Sequence, residues 1–184
     1  MAALRIIGLC ILAAVLYGVA HTQETARVCV EYFTIGHPKI LATESPTILW
    51  LAWGVIATWW VGLVLGAPLA FASIRGRWPR RTGRSLVQPI AILLMCMAGT
   101  SVVSGLVGYA LSSNGLVVLV EPLSSRVPGE RHLAFIAVGW AHWAGYVAGL
   151  VGGIVLIRRV WRLRQEASTV PPDQPTKGAG FAGR

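Results

Sequence analysis

Charge is what this sequence has least of. Asp, Glu, Lys and Arg make up 12% of its 184 residues, hydrophobic residues make up 55%, and the mean hydropathy is +0.65. That balance excludes an ordinary soluble domain of this size. Aspartate is missing everywhere except Asp173, and no HExxH, CxxC or clustered His pair occurs, so the sequence carries no ready-made metal motif. No GxSxG precedes a helix, and Cys29 has no partner cysteine in its own loop, which leaves nucleophilic hydrolase chemistry without its usual arrangement. The short alternating segments of a membrane barrel are absent as well.

What is present is concentrated apolar sequence. A hydrocarbon core about 30 Å thick takes roughly 20 helical residues to cross, and four runs of that length can be read. They span about 2–20, 48–74, 86–111 and 133–157. Lipid cannot satisfy exposed backbone N–H and C=O groups, so each run is expected to be a helix. The expected fold is an all-α membrane protein, a four-transmembrane-helix up-down-up-down bundle over residues 1–164 with a small extracytoplasmic loop cap. Its exterior loops are 21–47 and 112–132, and its cytoplasmic loop is 75–85. Arg5 and the small residues Gly18 and Ala20 also fit a leader cleaved before His21, but the apolar character that starts at Met1 and the spanning length favour a retained first helix.

Basic residues set the expected orientation. Arg5, Arg75, Arg77, Arg80, Arg81, Arg84, Arg158, Arg159, Arg162 and Arg164 all fall at one face, and the formal net charge of +9 is mostly this asymmetry. The positive-inside rule then puts both termini in the cytoplasm of a multi-pass cell-membrane protein. Arginines at helix ends are each worth about 1 kcal/mol of attraction to anionic lipid head groups, so the expected partner is the bilayer and not nucleic acid. RRVWRLR, residues 158 to 164, reads as an interfacial turn, and residues 165–184, rich in Pro and Gly, read as a disordered tail.

Small residues spaced by four mark where helices can approach in lipid. Span two offers Gly54, Thr58, Gly62, Gly66 and Ala70. Span three offers Cys96, Thr100, Ser104, Gly108 and Ser112; span four Ala141, Gly145, Gly149 and Gly153; and span one Cys10, Ala14 and Gly18. These seams suit a bundle, or contact with a second copy. Pro89 is expected in the first turn of span three and Pro68 to kink span two. Trp50, Trp53 and Tyr109 fit an outer aromatic belt.

His142, in WAHWAGY, lies ten residues beyond His132 and hence about 15 Å into the membrane. An ionisable group there is a functional candidate, as a haem or quinone ligand or a proton relay. The plainer alternative is a neutral imidazole bonded to Ser104, Thr100 or a backbone carbonyl. No second imidazole is expected at that depth, because His21, His37 and His132 read as exterior or boundary residues. On the exterior side fall Glu24, Glu31, Glu44, Glu121 and Glu130 with those three histidines. His21, Glu24, Glu31, His37 and His132 are therefore candidate metal ligands, with solvated loops as the alternative. Within the same loop, Val28, Val30 and Tyr32 alternate with polar residues as a short strand or interfacial coil would.

The stretches ETARVCVEYFTIGHP, residues 24 to 38, and LAWGVIATWWVGL, residues 51 to 63, resemble a family of uncharacterised bacterial multi-pass membrane proteins. The resemblance covers the first two helices and their loop. It implies the bacterial inner membrane and carries over no catalytic residues. Two functions follow from the sequence. One is a structural or accessory membrane protein whose exterior cap binds a membrane or periplasmic protein, or a second copy. The other is a metal- or cofactor-dependent membrane enzyme or redox protein using the exterior His and Glu residues and His142.

Overall fold

The computed structural model describes residues 1–39, 42–43 and 45–168. Glu44 and the tail from residue 169 lie outside the described residues. Among those described, every regular element is helical. They are α1 (Ala2–Val28), α2 (Glu31–Thr34), α3 (Pro46–Ile56), α4 (Trp59–Ile74), α5 (Gly83–Ser113), α6 (Leu123–Arg126), a 3-10 turn at Gly129–Arg131, and α7 (His132–Glu166). Four stretches are long and apolar enough to cross a membrane: Ala2–Val28, Pro46–Ile74, Gly83–Ser113 and Gly129–Glu166.

Several boundaries differ from those expected. Helix α1 runs on to Val28 because Thr22 and Thr25, polar residues past the apolar run, turn their hydroxyls back onto the carbonyls of Gly18 (2.7 Å) and His21 (2.9 Å). They are thereby satisfied inside the helix. The second span is broken at Ala57–Thr58, not at Pro68, which sits inside α4. Thr58 has left the helical region and its hydroxyl donates to the Gly54 carbonyl. Because α5 begins at Gly83, capped by Thr82, Pro89 falls in its second turn and not its first. Residues 31–34 form one turn of helix instead of the alternating strand or coil, and residues 158–166 continue α7 as helix. The end of α5 is set by Asn114 and Gly115. Asn114 caps it, Gly115 adopts φ +71°, and the Leu116 N–H reaches back to the Leu111 carbonyl at 3.0 Å, a left-handed glycine stop.

The small-residue seams are used within the chain. Helix α1 packs on α3 and α4, α5 packs on α7, and α4 touches α7. A Cβ added at Gly54 would stand 2.6 Å from the backbone of Val19, and one at Gly62 would stand 2.6 Å from that of Ile11. Backbones this close gain dispersion contacts that lipid tails cannot supply. Gly108 lies under Trp140, Gly145 against Ser101 and Gly149 against Met97. On α5 the expected seam holds at Ser104, which donates to the Trp140 carbonyl at 3.2 Å, at Gly108 and at buried Ser112, whereas Cys96 and Thr100 are exposed and Met97, Ser101 and Gly105 face α7 in their place. An apolar cluster of Ile6, Leu69, Leu86, Ile90, Leu156 and Val160 closes the arginine-rich end.

Arg164 is not a lipid anchor. It is fully buried and donates to the carbonyls of Pro79 (2.7 Å), Trp78 (3.1 Å) and Ala72, with its guanidinium 5.8 Å from the Trp78 ring centre. The planar fork of donors lets a single side chain fasten the α4–α5 loop to the end of α7. Removing the donors strands three carbonyls. Arg164→Ala is expected to cost about 2–3 kcal/mol, whereas Arg162→Ala, at an exposed position, should stay within about 0.5 kcal/mol. Thermal unfolding in detergent measures both, and equal losses would contradict this assignment.

Candidate functional site: a paired-histidine chamber

The end of the bundle opposite the arginines holds the chemistry. His142 projects from α7, is nine-tenths buried, and donates through Nδ1 to the Val138 carbonyl one turn earlier at 3.0 Å. The backbone-carbonyl partner is one of those foreseen from the sequence. The bond fixes the proton on Nδ1 and leaves Nε2 as a bare acceptor.

A second imidazole does lie at this depth, contrary to expectation. The extra turns of α1 carry His21 inward, and its ring centre stands 4.5 Å from that of His142, the planes inclined at 61°. Tyr17, one turn earlier, stacks on His21 at 5.6 Å and shares a hydrogen bond of 3.2 Å with Ser101 on α5. The His21 Nε2 is enclosed and has no hydrogen-bond partner among the described residues. A buried polar atom left in this state costs about 1–3 kcal/mol, so it calls for a partner.

The loop that follows α1 roofs this pair. Tyr32 and Phe33, on the single turn of α2, place their rings 4.9 and 5.7 Å from His142. His37 donates through Nδ1 to the Tyr32 carbonyl at 2.8 Å and packs edge-on against Trp53 at 4.7 Å. Together with Tyr146 these side chains line the outer part of a chamber of about 150 Å³ that runs between α1, α3, α4, α5 and α7 as far as Cys10 and Leu156. Trp53, read as an interfacial belt residue, is part of the wall.

Of the five candidate metal ligands, His21 and His37 enter this chamber and the others do not. Glu24 is exposed and lies 3.7 Å from Arg27. His132 bonds through Nε2 to the Val127 carbonyl at 2.9 Å. Glu31 accepts from Arg131 Nε at 3.0 Å and from the Cys29 thiol at 3.3 Å. Among the described residues no group of three or more His, Cys, Asp or Glu side chains could hold a metal ion. Two imidazoles bound axially to one metal at about 2 Å each would stand roughly 6 Å apart centre to centre, so the observed pair is too close for an axial haem.

The Glu31 cluster instead ties two loops together. Arg131 also donates to the Val28 carbonyl at 2.9 Å, and Cys29, Val127, Phe135 and Val138 pack as an apolar cluster beneath. Burial raises the Glu31 carboxyl, but its own backbone N–H, the Cys29 thiol and Arg131 outweigh this and hold it below the usual range. Burial and the neighbouring carboxylate push the Cys29 thiol up to about 11, and burial pushes Tyr32 up to about 12.

Sequence reasoning missed Tyr17, Tyr32, Phe33 and Trp53. A usable signal existed for Tyr17, which is four residues before His21 just as His142 is four before Tyr146, a spacing that aligns side chains on one helix face. No family model matches the chain, and neither a curated protein nor a solved structure does. This agrees with the resemblance to an uncharacterised family, and the four apolar helices fit a multi-pass membrane protein.

Because the folded Glu31 carboxyl titrates below its unfolded value, its contribution is present above the unfolded pKa of about 4.3. It is lost as pH falls through the lower folded value. The melting temperature of the protein should therefore decline as pH is lowered from about 5 toward 3, more steeply than that of Glu31→Gln. Parallel profiles would remove the pair from any stabilising role.

Proposed function

We propose that this protein is a multi-pass integral membrane protein that binds a small ligand in the chamber, with the imidazoles of His21 and His142 receiving it. The observation that carries this reading is the enclosed His21 Nε2 without a hydrogen-bond partner, beside a second imidazole whose Nε2 is left as an acceptor. A purely structural core would favour apolar side chains in these positions, since they avoid the desolvation cost. The reading assigns the two histidines a binding role and assigns no catalytic step.

The same reading places the chain in a bilayer as an up-down-up-down bundle. Supporting it, Gly18 meets Gly54 and Thr58, while Ile11 meets Gly62 and Cys10 meets Gly66, the order that two oppositely directed helices give. The exposed arginines of the α4–α5 loop and of α7 put that end, with both termini, at the cytoplasmic face against anionic lipid. The chamber then opens on the outer half of the bacterial inner membrane that the family resemblance implies. There the Glu31–Arg131 link joins the two exterior loops as a cap.

A structural or accessory role also has an observation in its favour. Leu116, Val118 and Val120 are 73, 66 and 68% exposed beside that cap and would suit a membrane or periplasmic partner. The two readings separate on the histidine. If the chamber holds a ligand, a total lipid extract of the host membrane raises the melting temperature of the detergent-purified protein by several degrees and leaves His21→Leu unmoved. If the chamber is idle, His21→Leu is more stable than the parent and the extract shifts both alike, which overturns the binding role. Elemental analysis and an absorption spectrum of the same sample test for a metal or haem.

A further inference from the structure

A second hollow adjoins the chamber and gives its ligand a shape. Between α1, α5 and α7 lies a groove of about 480 Å³, and Tyr17 and His21 line both spaces. The groove is walled by Ala98, Val102, Leu106 and Ala137. Val102 and Leu106 are more than 60% exposed, so in a bilayer the groove faces the acyl chains. Helix α1 packs chiefly on α3 and α4 and more loosely on α5, to which Tyr17 reaches across to Ser101.

Chamber and groove ask for different chemistry. The chamber's volume of about 150 Å³, comparable to the room one benzene-sized ring needs, is spread along the bundle axis, from Tyr32 and His37 down to Cys10 and Leu156. Its outer part has aromatic side chains around it, an acceptor at His142 Nε2, and on His21 an imidazole able to give and to accept. Neither space is lined by Lys or Arg among the described residues, and Glu24 borders the groove. A phosphate or carboxylate head group would find no counterion there. The groove asks only for an apolar chain.

We propose that the site takes a lipid-soluble quinone or quinol, its ring in the chamber against His21 and His142 and its hydrocarbon tail in the groove between α1 and α5. Imidazoles that can both donate and accept suit a ring oxygen in either oxidation state, as carbonyl or as hydroxyl. The inference rests on the ligand-binding reading above and narrows it to one chemical class.

Two probes and three variants test it on the full chain in detergent, by titration of tryptophan fluorescence. One probe is a dimethylbenzoquinone head with a decyl chain, and the other is the same head without a chain. The decyl quinone should bind the parent in the micromolar range, and His21→Leu should weaken both probes at least tenfold. Ala98→Trp, which fills the groove without reaching the chamber, should weaken the decyl probe at least tenfold while changing the chainless probe less than threefold. Ala98→Leu should fall between, and it serves if the larger side chain impairs folding. Equal loss of both probes in the Ala98 variants, or decyl binding indifferent to His21, overturns the proposal. If the parent binds neither quinone yet host lipid extract still stabilises it in a His21-dependent way, the quinone class is wrong and the chamber reading stands. If the extract also fails, both readings fall.

Discussion

The close approach of α1 to the broken helix α3–α4 governs the rest of the structure. Gly18, Gly54 and Gly62 allow the backbones to meet, and the Thr22 hydroxyl fastens them by donating to the Trp50 carbonyl at 2.6 Å as well as to its own helix. In lipid no hydrophobic expulsion drives helices together, so packing and such bonds must do it. Tyr17, His21 and Thr25 are then set by helix geometry alone, one turn apart along α1. With α1 drawn toward α3 and α4, its contact with α5 is the lesser one, bridged by the Tyr17–Ser101 bond, and the groove lies along that looser seam.

The interruption at Thr58 belongs to the same contact. The Thr58 hydroxyl, which donates to the Gly54 carbonyl, lies against Gly18 of α1, so the interruption of the helix falls within this contact. The backbone there is half-buried against α1, which leaves less of it to lipid. Pro68, by contrast, sits within α4 without ending it.

Buried polar groups are handled differently at the two ends. At the arginine-rich end, Arg164 meets three carbonyls, one from each guanidinium nitrogen. At the other end, His37 and His142 each give one nitrogen to a backbone carbonyl, and His21 has an enclosed nitrogen with no partner among the described residues. A satisfied charge specifies a fold, whereas an unsatisfied imidazole spends stability that packing alone does not recover. That contrast is why the functional reading rests at one end of the molecule.

Much of the fold was legible from hydropathy, because lipid dictates helices of a set length and glycine spacing marks where they meet. Four apolar helices and the seam of Gly54, Gly62 and Gly66 follow from that alone. His142 stood out for its depth, and its backbone-carbonyl partner was one of the alternatives. The pairing with His21 was not legible, since where α1 ends depends on Thr22 and Thr25 satisfying themselves on the helix and on contact with α3, not on the apolar run. Arg164 read as an anchor because a sequence counts charges and cannot show three carbonyls converging on one of them. Composition thus determined the solvent and the number of helices, while the meeting of α1, α2 and α7 around two imidazoles was decided by tertiary contacts between residues more than a hundred positions apart.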